Sequence, residues 1–275
     1  PRSTQGVSSA ASDVYKRQSY PNTRMAVSVD GTLGIPKSEF LDSVRRSLDR
    51  RPVAPDPAYP RLLDDLPSLQ EEAQRIRARI AETRPALLDK FAEVAQVRGW
   101  NVHRASNPES AMAHIQSLAD SLGVEKAVRS NQEVFGHVMV DAPLEATGIG
   151  VTTITHGPGS SRESLRSSII AADIGFSGAD YAVVETGSVI VLPRKGLSRL
   201  VSLVPPVHLA LVRPEDLIAS LDDLFLLRRL EYQEKGGDMG SYLNFITGPS
   251  RTADIEQTLV VGVHGPREAH MVLLG

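Results

Sequence analysis

Residues 173–192 read DIGFSGADYAVVETGSVIVL. Two β-branched runs, Tyr181–Val184 and Val189–Leu192, flank Glu185-Thr186-Gly187-Ser188, so a strand delivers a carboxylate to a turn. Similar runs at Val138–Val140, Ile149–Ile154, Leu200–Val204 and Leu209–Val212 also read as strands. Between them the apolar spacing turns helical. Arg162–Ala172 forms one helix, with Ser160 and Glu163 at capping-box spacing. Another follows Pro214, where Leu217, Ile218, Leu221, Leu224 and Phe225 make a stripe. Strands alternating with helices imply an α/β fold, a mostly parallel sheet sandwiched by helices.

Upstream the pattern is helical. Phe40, Leu41, Val44 and Leu48 mark a helix over 38–48, and the four prolines of 51–60 mark a linker or extended arm. Two stripes follow, Leu69, Ala73, Ile76 and Ile80, then Leu87, Leu88, Phe91, Val94 and Ala95. Gly99 ends the second, and Trp100–Val102 opens a short strand. Ala111, Met112, Ile115, Leu118, Ala119 and Leu122 form a further helix closed by Gly123. Residues 1–35, rich in Ser, Gly and Thr without apolar period, read as a disordered or non-native tail. The chain begins with proline, and Met25 is a plausible natural start. The expected domain is 36–275, with a helical N-terminal segment over 36–125.

Composition narrows the function. A 41% hydrophobic fraction in 275 residues can bury a sizeable core, and a net charge of −3 lacks the basic excess of a nucleic-acid binder. There is no cysteine, which excludes an ordinary iron–sulfur cluster, a thiolate zinc site, a cysteine nucleophile and any disulfide in this chain. No apolar run reaches membrane-spanning length, and Pro1–Tyr20 lacks a signal-peptide core, so a cytoplasmic location is expected. P-loop, G-x-S-x-G and H-E-x-x-H motifs are missing, and no metal site is expected.

Four constellations remain. His156-Gly157-Pro158-Gly159-Ser160-Ser161-Arg162-Glu163 leads into a helix N-terminus, where free N–H groups suit phosphate or carboxylate; the alternative is a tight turn with an ordinary cap. Glu185 can act as base or nucleophile or hold a substrate hydroxyl, or can accept backbone hydrogen bonds in the turn with Thr186 and Gly187. In Thr247–Glu256, Ser250 and Thr252 can cap a short helix, with Asp254 and Glu256 in its first turns. Arg251 offers a fork for carboxylate or phosphate. His264 and Arg267, in Gly262–Arg267, can converge on the same ligand. The other reading of Asp254 and Glu256 is an Arg–carboxylate network pinning two loops. His208, in an apolar strand after Pro205-Pro206, reads as a hydrogen-bonded core histidine.

Taken together, Asp173 through Glu185-Thr186-Gly187, Val204-Pro205-Pro206-Val207-His208, Gly248–Glu256 and Gly262–Pro266 resemble the lactate-utilization LUD domain, most closely its LutC/YkgG branch. The resemblance covers about 36–275 and is strongest over 170–270. It implies a fold similar to the NagB/RpiA/CoA-transferase group. It also implies membership of a three-protein system that oxidises L-lactate to pyruvate, in which LutA-like and LutB-like partner subunits carry the iron–sulfur clusters. This cysteine-free chain would then hold no cofactor and would bind those partners. It would also take a small carboxylate or phosphate in a pocket lined by Glu185, Arg251 and His264, and bind no nucleic acid or membrane. The expected ligand-binding set is Gly157, Ser160, Ser161, Arg162, Thr186, Gly187, Ser250, Arg251, Thr252, His264 and Arg267, with Glu185 as catalytic candidate. The alternatives are a stand-alone enzyme acting on a phosphate-bearing substrate and a pure assembly module.

Overall fold

The computed structural model describes residues 37–48, 65–155, 161–192, 199–237, 240, 242–253 and 258–275. The chain divides into two units, 1–60 and 61–275. The expected tail, the proline-rich stretch, Gly157, Ser160, Asp254 and Glu256 lie outside the described residues. In the first unit, helix α1 (Lys37–Ser47) occupies the predicted span.

The second unit opens on helix α2 (Leu66–Val97), 32 residues long. The sequence expects two helical stripes here, and the structure joins them into one helix through Pro85. Proline removes one backbone bond, but position 85 is exposed and water can take the freed carbonyl. The stripe shifts because the packing partner shifts. Leu69, Ala73, Ile76 and Ile80 join one core cluster, and Leu88, Phe91, Ala92 and Ala95 join another.

Six strands build the main sheet: β1 (Asn101–Ala105), β2 (Lys126–Arg129), β3 (Gly150–Thr153), β4 (Ile174–Gly178), β7 (Val207–Val212) and β12 (Glu268–Leu274). Their order is β1-β12-β7-β4-β2-β3, and every pairing is parallel. The all-buried β7, VHLALV, has the continuous apolar character that a central parallel strand needs. One face packs on helices α3 (Pro108–Leu122) and α4 (Asp141–Ala146) through Ala111, Ile115, Ala119 and Leu144. Asn107 and Ser110 cap α3 reciprocally, and Gly123 ends it in the left-handed conformation, φ 64°.

The other face is covered partly by the C-terminal half of α2. Beside it lies a second sheet of four strands, in the order β8 (Leu217–Ile218), β5 (Tyr181–Val183), β6 (Ser188–Val191) and β9 (Asn244–Ile246). Helix α5 (Arg162–Ile170) and the single turn α6 (Leu200–Leu203) pack on Val128 and Ile154 through Ile169 and Val201. Helix α7 (Leu221–Glu234) covers the far side of the second sheet with the first half of α2. A two-stranded ribbon, β10 (Arg251–Ala253) with β11 (Leu259–Val261), completes the unit.

Several expectations change. Leu200–Val204 is a helical turn, not a strand, because the α6 backbone lies on the sheet: a Cβ at Gly175 would collide with the Val201 carbonyl. Short apolar runs carry no period that separates the two states. Val138–Val140 is not a strand; it follows a 3-10 turn (Glu133–Gly136), and Val138 and Val140 are buried in the core. Leu217 and Ile218 extend as β8, and the helix begins after the Ser220 cap. Ser250 and Thr252 cap no helix, since Arg251–Ala253 is a strand. The α5 capping box pairs Ser161 with Ser164. Three strands of the main sheet, β2, β4 and β12, fall outside the runs read as strands.

Candidate functional site

The C-terminus of α2 is the meeting point. Gly99 leaves the helix at φ 97°, and Trp100, 3% exposed, precedes β1. The Trp100 indole Nε1 donates to the Gly187 carbonyl at 3.1 Å. Gly187 itself sits at φ 67°, and a Cβ there would lie 3.0 Å from the Ala95 backbone. This close approach requires glycine. Beside it, Thr186 Oγ1 donates to Ser188 Oγ at 2.8 Å, and Ser188 Oγ meets Thr247 Oγ1 at 2.7 Å.

A second loop pair closes on the same place. Gly248, φ 89°, lies so near the Arg98 carbonyl that a Cβ would strike it, and the Arg251 guanidinium occupies the space where Gly99 lacks one. The Ser250 amide donates to the Pro266 carbonyl (2.9 Å), and the Ser250 carbonyl accepts from Gly262 (2.9 Å). Ser250 Oγ accepts from the His264 amide at 3.3 Å. The Arg267 amide donates to the Pro206 carbonyl at 2.8 Å. Thr186, Gly187, Ser250, Arg251, His264 and Arg267 are thereby gathered around residues 95–100. The side chains of Arg251, His264 and Arg267 are exposed, which leaves a basic rim. Thr252 lies off this rim, opposite Val260 in the β10–β11 ribbon.

Glu185 takes the backbone-accepting place in its turn. Its Oε2 accepts from the Leu221 amide at 2.9 Å, at the first turn of α7, and its own amide donates to the Ala219 carbonyl. A carboxylate here offsets the unpaired amides and the positive end of the helix.

The predicted anion loop is elsewhere. Ser161 Oγ accepts from the Ser164 amide at 3.0 Å, and Arg162 is exposed at the first helical position. This helix follows the last residue of β3, whereas His264 and Arg267 precede the first residue of β12. With all six strands parallel, the two groups lie at opposite ends of the sheet. A seven-residue strand such as β12 separates such ends by about 20 Å. The expected ligand-binding residues therefore fall into two separate groups.

Apart from His208, sequence motifs give no sign of the polar groups inside the fold. Gln132, 7% exposed, accepts at Oε1 from the Gly178 amide and Ser130 Oγ, both at 2.7 Å. Ser177 Oγ meets His208 Nε2 at 2.8 Å, fully inside the fold, so His208 is the hydrogen-bonded core histidine expected. Burial pushes its pKa down to about 3, with His270 adding to the effect. His103 and His114 stack with ring centroids 3.7 Å apart, and burial, then His103 and His270, lower the His114 pKa. No group of three or more His, Asp or Glu among the described residues is arranged to hold a metal ion. Nor is any described helix long and apolar enough to cross a membrane.

Comparison with known proteins agrees with the motif reading. Over 161 residues the chain is 32% identical to lactate utilization protein C of Halalkalibacterium halodurans, covering 58% of this chain and 67% of that protein. Over 193 residues it is 30% identical to lactate utilization protein C 1 of Bacillus mycoides, covering 68% and 79%. Lactate utilization protein B of Shouchella clausii matches at 23% over 249 residues, 74% of this chain and 51% of that one. The LUD domain family model matches residues 88–274, from the second half of α2 to the end of β12, and the chain belongs to this family.

Proposed function

We propose that this chain is the cluster-free subunit of a system that oxidises L-lactate to pyruvate, working with LutA-like and LutB-like iron–sulfur subunits. The observation that carries the reading is the match to proteins named lactate utilization protein C, at 30–32% identity, in a chain without cysteine. Removing two electrons from a 2-hydroxy acid needs an acceptor. A chain without thiolates offers no ordinary iron–sulfur site, and this reading assigns the clusters, and the electrons they carry, to its partners.

The exposed rim of Arg251, His264 and Arg267 supplies what such a subunit needs toward an acidic partner surface. Guanidinium forks suit carboxylates, and charge at an interface rim steers encounter. Glu185 acts here by holding the start of α7 rather than by taking a proton from substrate.

Co-purification tests the reading. A tagged full-length chain is expected to bring down two cysteine-rich subunits from lactate-grown cells, with less recovered when both Arg251 and Arg267 are changed to Ala. A chain that purifies without those subunits at low ionic strength would contradict it.

A further inference from the structure

The carboxyl ends of β2 and β4 carry a feature that neither the basic rim nor the lactate assignment uses. From β2 the chain passes to β3 on one side, while β4 leads to β7 on the other. The winding direction therefore reverses between β2 and β4, and in open α/β sheets ligands bind outside the strand ends at such a reversal. Ser130 follows the end of β2 and Gly178 ends β4; Gln132 bridges them.

The orientation of the Gln132 amide is settled by its partners. The Gly178 backbone N–H can only donate, so the atom facing it at 2.7 Å is the side-chain oxygen. The nitrogen, turned away from that contact, is buried and has no hydrogen-bond partner. Leaving such a donor unpaired inside the fold is costly. Space has been made for this arrangement: a Cβ on Gly178 would come within 3.2 Å of Gln132 Cβ and Cδ and 2.8 Å of Val134 Cγ1. The amide is therefore held firmly at one end, and at the other its two N–H donors are buried without a partner.

We propose that the Gln132 side-chain nitrogen donates to a small monocarboxylate bound at the carboxyl ends of β2 and β4. The carboxylates nearby oppose a phosphate dianion more strongly than a monoanion. Arg129 is held by Asp141 through two bonds of 2.6 and 2.5 Å. Arg213 is held by Asp216 at 2.8 Å, with Glu215 and Glu133 at 3.5 and 3.6 Å. Both cations are thus already neutralised, and four carboxylates face them. A neutral amide can pair with a carboxylate or carbonyl oxygen without a further cation. The choice of a 2-hydroxy or 2-keto acid rests on the proposed lactate function, whereas the donor at Gln132 does not.

The test is calorimetric titration of the purified full-length chain with L-lactate, pyruvate and inorganic phosphate, comparing the native chain with Gln132→Glu. Glutamate keeps an oxygen for Gly178 and Ser130 and replaces the free donor with an acceptor. Saturable binding of lactate or pyruvate, weakened about tenfold or more by Gln132→Glu, is expected. If that variant unfolds, the side-chain NH2 resonance of Gln132 in the native chain must still move on titration. Absence of binding, which would mean that water alone satisfies the amide, would overturn the proposal. So would binding that ignores the substitution, or phosphate binding at Gln132 without carboxylate binding. None of these outcomes depends on the partner subunits, so failure here is separable from failure of the lactate assignment.

Discussion

Trp100 and Gly187 are joined by a hydrogen bond of 3.1 Å from the indole nitrogen to the glycine carbonyl. This bond ties the entry of β1 to the turn between β5 and β6, and the Ala95 backbone can pass beside the turn only because residue 187 is glycine. Gly187→Ala should therefore cost more than left-handed strain. Gly123 provides the comparison: its φ is 64°, yet a methyl group added there would meet nothing within 4 Å. Gly123→Ala should lose about 1–2 kcal/mol. Gly187→Ala should lose at least about 1 kcal/mol more, from overpacking. Urea unfolding of the two variants checks the difference, and equal losses would mean that Ala95 yields freely.

Glu185 is separable from a catalytic base by a conservative change. Its bond from the Leu221 amide needs an oxygen acceptor, which glutamine also supplies. Glu185→Gln should leave stability within about 0.5 kcal/mol, and Glu185→Ala should lose about 1 kcal/mol through the lost cap. Lactate-dependent growth should survive both, provided the protein stays folded. A fully folded Glu185→Gln protein that abolishes growth would restore the catalytic role.

Acid should weaken the fold through His208. Its pKa falls from 6.5 to about 3 on folding, because the buried ring resists charge. Above pH 6.5 the ring is neutral in both states and costs nothing. Below it the unfolded chain takes up a proton that the folded chain refuses, so stability declines as pH drops from 6.5 toward 3. Between pH 6.5 and 5.5 this amounts to about 1 kcal/mol, approaching 1.4 kcal/mol for each further unit. His114 shifts in the same direction. Urea midpoints for the native chain and His208→Gln at pH 7.0 and 5.5 should differ in slope, the variant being flatter. Parallel losses would show that other groups dominate.

Much of the fold is legible in the sequence because it obeys periodicity. Strands β3, β5, β6 and β7 fall on β-branched runs, and α3 follows its apolar stripe and ends at Gly123. The failures have physical causes. β4, reading IGFSG, is a central strand whose glycines make room for Val201 and Gln132, contacts that leave no trace in local composition. The α2 stripe changes face where its neighbours change, which looks like a helix break in one dimension. For the site, the Gly/Ser/Arg motifs are visible and the chain does gather six of those residues. Which end of the sheet each loop occupies depends on strand order, and that separates Ser161 and Arg162 from Arg251 and His264. Gln132 carries no motif; its importance arises from burial and from one unpaired nitrogen.

The central claim is that the chain serves lactate oxidation, and growth on L-lactate as sole carbon source measures it most directly. A strain lacking this chain and any paralogue should fail on lactate, grow normally on glucose, and recover on lactate when the chain is returned. Undiminished growth of the deletion strain on lactate would contradict the account.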